Sequence, residues 1–149
     1  SKTFKEIYSF ANYKNEYEVY SQEGANYLYG IIDKLIFHDD RLIIVDYKTD
    51  NIHLASIEER AIEYSMQLKF YTYILSKLYQ EYSIYELRII FTKYPDNVVS
   101  SIIRRDDLEL FKNELNKSIN SMIKRDYKKN LLHCSKCHFA LEGNQCIKQ

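Results

Sequence analysis

The chain has 149 residues, with Lys plus Arg and Asp plus Glu equal at 21 each. It is long enough for one core burying about two-thirds of its unfolded surface, and it carries no overall basicity to signal nucleic acid. No run approaches the ~20 apolar residues that cross a bilayer and no basic segment followed by an apolar one opens the chain, so a soluble, cytoplasmic protein is expected.

In chain order, residues 3 to 13 suit a short helix carrying Phe4, Ile7, Tyr8, Phe10 and Ala11. No cap precedes it, and its register reads as the end of something longer. Residues 16 to 21 alternate as a strand, and residues 27 to 37 form a second strand. His38-Asp39-Asp40-Arg41 turns the chain into a third strand containing Leu42, Ile43, Ile44 and Val45 and ending in Asp46 and Lys48. His38 and His53 are expected in solvent. A long helix runs from Ser56, as its cap, to about Gln80, with Glu58 and Glu59 in its first turn and Met66, Phe70 and Ile74 on its buried side. Residues 85 to 94 read as a strand, Tyr94-Pro95-Asp96-Asn97 as a turn, and Val98 to Ile103 as an antiparallel edge. Asp106 and Asp107 open a last helix to about Lys124, with Leu108, Phe111, Leu115, Ile119 and Met122 at helical spacing. Helix, three strands, helix, two strands and helix make an α/β sandwich with a mixed central sheet.

Three segments carry chemistry. Gly30-Ile31-Ile32-Asp33 and Asp46-Tyr47-Lys48-Thr49-Asp50 place two carboxylates and a lysine at neighbouring strand ends. Charge directly after four consecutive apolar residues is costly unless a cation or a solvent cleft takes it up. A hard ion such as Mg²⁺ or Mn²⁺ suits Asp33, Asp46 and the backbone carbonyl of Tyr47, with Lys48 beside it to hold or deprotonate the attacking water. The third segment, Tyr64-x-x-Gln67-Leu68-x-x-Tyr71, puts Tyr64, Gln67 and Tyr71 on one helix face. Taken singly, Asp33 reads equally as a turn residue, Asp46-Lys48 as a surface ion pair of little worth, and Gln67 and Tyr71 as a polar seam.

In this order and spacing the three segments resemble the RecB/AddA branch of the PD-(D/E)XK nuclease superfamily, the nuclease module of bacterial helicase-nucleases that process double-strand breaks. The match covers roughly residues 16 to 105, and Glu18 resembles the Glu that opens the family's first core strand. The resemblance implies a restriction-endonuclease-like core over residues 1–130, a Mg²⁺- or Mn²⁺-dependent deoxyribonuclease acting on linear DNA ends, and an attached or associated helicase. It makes Asp33 and Asp46 the metal ligands and Lys48 the catalytic lysine. Gln67 is directed at the metal or the scissile phosphate, and Tyr71 and Tyr64 lie near the DNA. The family also carries an upstream His ligand, which is missing before Asp33. A fragment of a longer protein is therefore expected, one that folds well and cleaves poorly. The alternatives are a stand-alone exonuclease of the CRISPR-acquisition type and a DNA-binding module of the same fold without catalysis.

Residues 131–149 form a separate tail with Cys134, Cys137 and Cys146, the only cysteines. In a cytosolic protein such spacing argues for metal over a disulfide. Zinc would need His133 or His138 as its fourth ligand. The resemblance to AddB-type nucleases implies instead a [4Fe-4S] cluster, whose fourth cysteine lies well before the core. Arg104, Arg105, Lys124, Arg125, Lys128 and Lys129 read either as phosphate contacts or as a solvated face.

Overall fold

In the computed structural model, which describes residues 1–126, Ala140–Leu141 and Gln145–Cys146, the chain divides into units of residues 1–113 and 114–149. Cys134, Cys137, His133, His138, Lys128 and Lys129 lie outside the described residues. In the first unit, helix α1 (Lys2–Ser9) is followed by strands β1 (Tyr13–Glu23), β2 (Asn26–His38) and β3 (Arg41–Lys48). Helix α2 (Ile57–Leu78), strands β4 (Ile84–Phe91) and β5 (Val99–Arg104) and the start of α3 (Leu108–Ile123) complete it. The second unit holds the rest of α3 and the two-residue strands β6 (Ala140–Leu141) and β7 (Gln145–Cys146), which pair antiparallel.

The first helix is shorter than its pattern suggests and is capped. The Ser1 hydroxyl accepts the Phe4 N–H at 3.3 Å, and the Asp96 carboxylate, from the β4–β5 turn, accepts the Thr3 N–H at 3.0 Å. Phe10 is already extended, Asn12 accepts the Phe37 N–H at 3.0 Å, and Tyr13 opens β1, so residues 10 to 13 are not helical. Two tight turns lengthen the strands beyond their alternating cores. Gly24 takes φ +59° between β1 and β2, and Asp39 takes φ +46° between β2 and β3, conformations that glycine and aspartate tolerate best.

The sheet runs β1-β2-β3-β4-β5, with β3 and β4 parallel and every other neighbouring pair antiparallel. This is the mixed central sheet flanked by helices that the element order implied. Because β3 is the middle strand, Leu42 to Val45 are all buried, which accounts for the unbroken apolar run. On one face Ile7 of α1 packs against Ile36, Ile43, Val45 and Ile90. Helix α2, the crossover from β3 to β4, packs along β1 to β4.

In the first half of α2, Ile57, Ala61 and Leu68 form the buried stripe. Met66, expected inside, lies off that stripe and is 56% exposed, whereas Ile74 is fully buried. Ser56 makes no side-chain cap; the preceding 3-10 turn satisfies the Ser56 N–H through the His53 carbonyl at 3.0 Å. The far end of α2 is closed by Arg105. Its guanidinium donates to the carbonyls of Ser76 (2.7 Å), Tyr79 (3.0 Å) and Tyr82 (2.5 Å) and to the Tyr85 hydroxyl (3.0 Å). Arg105 is therefore committed to holding backbone rather than displayed for phosphate.

Candidate active site

The site begins where β2 and β3 part. Their ladder runs from His38–Arg41 to Lys34–Val45 and stops, while β2 continues paired with β1 alone. Asp33 is the first residue past that ladder, in the middle of β2 and not at its end. Its Oδ2 accepts the Tyr47 N–H at 2.8 Å, taking the place of a strand carbonyl. A residue in a strand points its N–H and C=O to the same edge, so the Tyr47 carbonyl is directed towards Asp33 as well.

Asp46 and Lys48, two apart on β3, share a face. Asp46 is 3% exposed. Lys48 Nζ stands 2.6 Å from Asp46 Oδ2, an ion pair by distance, yet Oδ2 receives no directed hydrogen bond from the described residues. The distance shows the attraction and the angle shows that it is unsaturated. Burial pushes the Asp46 carboxyl up, opposed by Lys48 and reinforced by the charge of Asp33. Lys48 Nζ also donates to Gln67 Oε1 at 3.0 Å, and Gln67 Nε2 donates to the Tyr71 hydroxyl at 2.7 Å. The Tyr64 ring lies under the same ammonium, 4.1 Å from Nζ to the centroid. Asp33, Asp46, Lys48, Gln67, Tyr71 and Tyr64 thus meet in one cluster built from β2, β3 and α2.

Gly30 has its own reason. A Cβ placed there would stand 2.5 Å from Tyr71 Cε1, so only glycine lets the Tyr71 ring lie on β2. Gly30 and Asp33 both address the α2 side although they are an odd number of residues apart, which regular alternation forbids. Glu16 marks the break: it has φ +45° and drops out of the register between Asn15–Lys34 and Tyr17–Ile32, opposite Asp33. The same break brings Lys14 and Tyr17 together at the Tyr79 hydroxyl. A Gly30→Ala change is expected to cost about 1–3 kcal/mol, the usual range for overpacking. Thermal melting checks this, with Gly30→Ala/Tyr71→Leu recovering part of the loss. An unchanged melting temperature in the single variant would show that the ring moves aside freely.

A family model for the PD-(D/E)XK nuclease superfamily matches residues 3–141. The chain belongs to the PD-(D/E)XK nuclease superfamily. Among curated proteins it is similar to an ATP-dependent helicase/nuclease subunit of Limosilactobacillus fermentum (strain NBRC 3956 / LMG 18251), 42% identical over 55 residues. That match covers 34% of this chain and only 4% of the relative. Among solved structures, the crystal structure of SSO0001 aligns over 89% of this chain and 61% of its own, at 17% identity and a TM-score of 0.47.

For a PD-(D/E)XK site the donor set fits a hard divalent cation. It offers two carboxylates, one with a buried oxygen that lacks a directed donor, and a main-chain carbonyl aimed at the same edge. Among the described residues no group of three or more His, Cys, Asp and Glu side chains gathers; Mg²⁺ commonly keeps water and phosphate oxygens in its shell. Glu18 stays outside the cluster: it pairs with Ile31, on the other hairpin face from Gly30, and is exposed. His38 and His53 are in solvent as expected.

Two residues of the site had no role in the sequence reading. Asp50 closes the Asp-Tyr-Lys-Thr-Asp segment, and its Oδ2 accepts the Tyr64 hydroxyl at 2.8 Å and Arg60 Nε at 2.6 Å. Arg60 itself was not singled out. The spacing of Arg60 and Tyr64, four apart on a helix, was the available signal.

Proposed function

We propose that this domain hydrolyses DNA phosphodiester bonds with a bound Mg²⁺ or Mn²⁺, as the exonuclease module of a RecB/AddA-type helicase-nuclease working on broken ends. The observation that carries the reading is the Asp46 carboxylate: it is buried, incompletely bonded, and shares its space with Asp33 and Lys48. A buried carboxylate is kept at that cost where a cation is to be bound.

In this reading Asp33, Asp46 and the Tyr47 carbonyl hold the ion, which when bound supplies Lewis acidity towards the phosphate and the attacking water. The Tyr47 N–H fixes one oxygen of Asp33 and leaves the other for the ion. An ammonium has three N–H groups; Gln67 accepts one, Asp46 attracts the group without a directed bond, and an N–H is left for the attacking water or a phosphate oxygen. Lys48 therefore orients and stabilises. Its surroundings, a carboxylate, an amide oxygen and an aromatic face, all attract the ammonium. Gln67 sets the direction of Lys48, and Tyr71 braces Gln67 against β2.

The test is cleavage of linear and covalently closed circular DNA with Mg²⁺, with Mn²⁺ and with chelator. Metal-dependent loss of the linear form alone is expected, and cutting that persists in chelator would refute the reading. The second reading is a module of the same fold that binds DNA without cutting. Binding without cleavage under every metal condition would establish it. For the tail we propose thiolate metal binding by Cys134, Cys137 and Cys146. Elemental analysis of anaerobically purified full-length protein is expected to find iron, about one zinc per chain would mean a Cys3His site instead, and neither metal would dismiss it.

A further inference from the structure

The geometry points to Tyr64 and Asp50 as positioning residues that hold the Lys48 ammonium in place beside the Asp46 carboxylate. This rests on Lys48 acting in the hydrolysis proposed above. Lysine reaches its site through four rotatable bonds, so its placement depends on what surrounds the nitrogen. The Asp46 contact attracts without directing, and Gln67 supplies one directed bond. The Tyr64 ring supplies a third support, beneath Nζ at 4.1 Å, a separation at which cation and ring attract.

That ring is itself fixed from three sides. It packs against the buried Phe91 of β4 with centroids 6.4 Å apart. Its hydroxyl donates to Asp50 Oδ2 at 2.8 Å and accepts from Arg60 Nη2 at 3.2 Å. Asp50 is held in turn by Arg60 Nε at 2.6 Å, and Arg60 also binds Glu63. The Arg60 guanidinium keeps the Asp50 carboxyl below the usual carboxylate range, so Asp50 stays an acceptor at working pH. The Tyr64 hydrogen is thereby spent inside the protein, which disfavours the alternative of Tyr64 as a donor to DNA phosphate. The second aspartate of the motif ties the segment after β3 to the second turn of α2, and so fixes the ring under a lysine two residues earlier in the chain.

The test compares Tyr64→Phe, Tyr64→Leu and Asp50→Asn with wild type in single-turnover cleavage and in DNA affinity, with the double variant Tyr64→Leu/Lys48→Ala as control. Tyr64→Leu is expected to slow cleavage roughly ten- to a hundredfold with Kd for DNA unchanged, since a small misplacement of a reacting group costs that much. Tyr64→Phe keeps the ring and should recover most of the rate, and Asp50→Asn should fall between. The double variant should be no slower than Lys48→Ala alone. Weakened DNA binding with an unchanged rate in Tyr64→Leu would make Tyr64 a DNA contact and overturn the proposal, as would equal losses in the Phe and Leu variants. NMR supplies a readout that needs no turnover: the Lys48 Cε protons should be shifted upfield by the ring in wild type and Tyr64→Phe and not in Tyr64→Leu. If that shift is present while Lys48→Ala cleaves normally, the catalytic role of Lys48 fails and its seat on Tyr64 stands. If the shift is missing, the positioning role fails.

Discussion

Replacing Lys48 by alanine is expected to lower DNA cleavage by ~10²-fold or more, the usual consequence of deleting one charged group that acts in the transition state. The ammonium meets the Asp46 carboxylate at 2.6 Å and Gln67 Oε1 at 3.0 Å, so these two groups set its position. The variant also removes the cation beside a buried carboxylate. That would destabilise the fold if Asp46 were compelled to remain charged, but burial already pushes its carboxyl up, and taking a proton relieves the cost. Lys48→Gln separates the effects, because its amide still offers N–H groups to Asp46 while the charge is gone. Both variants should keep the wild-type circular dichroism spectrum and lose cleavage. Linear DNA degraded by Lys48→Ala at a rate near wild type would remove Lys48 from the mechanism.

Asp46→Asn is expected to abolish metal-dependent cleavage while leaving the metal-free domain as stable as wild type or more so. The asparagine is close in shape and carries no charge to desolvate. In wild type the Asp46 carboxyl is raised above its ordinary 3.8 by burial. At this group the folded state then binds more protons than the unfolded state between the two pKa values, so the Asp46 contribution to stability is greatest below the ordinary value and is lost as pH rises through the raised one. Metal-free wild type should therefore lose stability relative to Asp46→Asn as pH rises over that window. Mn²⁺ reverses the penalty by binding the folded form, contributing about 1.4 kcal/mol at tenfold excess over Kd. Melting curves with and without Mn²⁺ at two pH values decide it. An equal Mn²⁺ increment in both proteins would take Asp46 out of the metal site.

Much of this was legible because it follows from short-range pattern. The apolar run at 42–45 predicts a central strand, and the three-four-seven spacing of Tyr64, Gln67, Leu68 and Tyr71 predicts a shared helical face; the structure has both. What escaped depends on tertiary geometry. Met66 matched a helical period, but the buried stripe of α2 follows Ile57, Ala61 and Leu68, and apolar residues all round this helix hide which side is inside. Asp33 was expected at a strand end and sits in mid-strand, because β2 outruns its partner β3. The dependence of Gly30 on Tyr71 joins two motifs about forty residues apart, and Glu16, whose φ of +45° breaks the alternation between Gly30 and Asp33, looks in the bare sequence like any exposed acid.

The Arg105 guanidinium has a consequence for how this protein wears out. Residues 79 to 83 have few backbone bonds of their own and are gathered by one side chain that reaches the carbonyls of Ser76, Tyr79 and Tyr82 together. Helix α2, which carries Gln67 and Tyr71, is thus clamped at the end remote from the chemistry. Limited proteolysis is therefore expected to cut first within residues 79 to 83, before the sheet opens. On that expectation the working life of the site depends on an arginine at the far end of the helix that carries Gln67 and Tyr71.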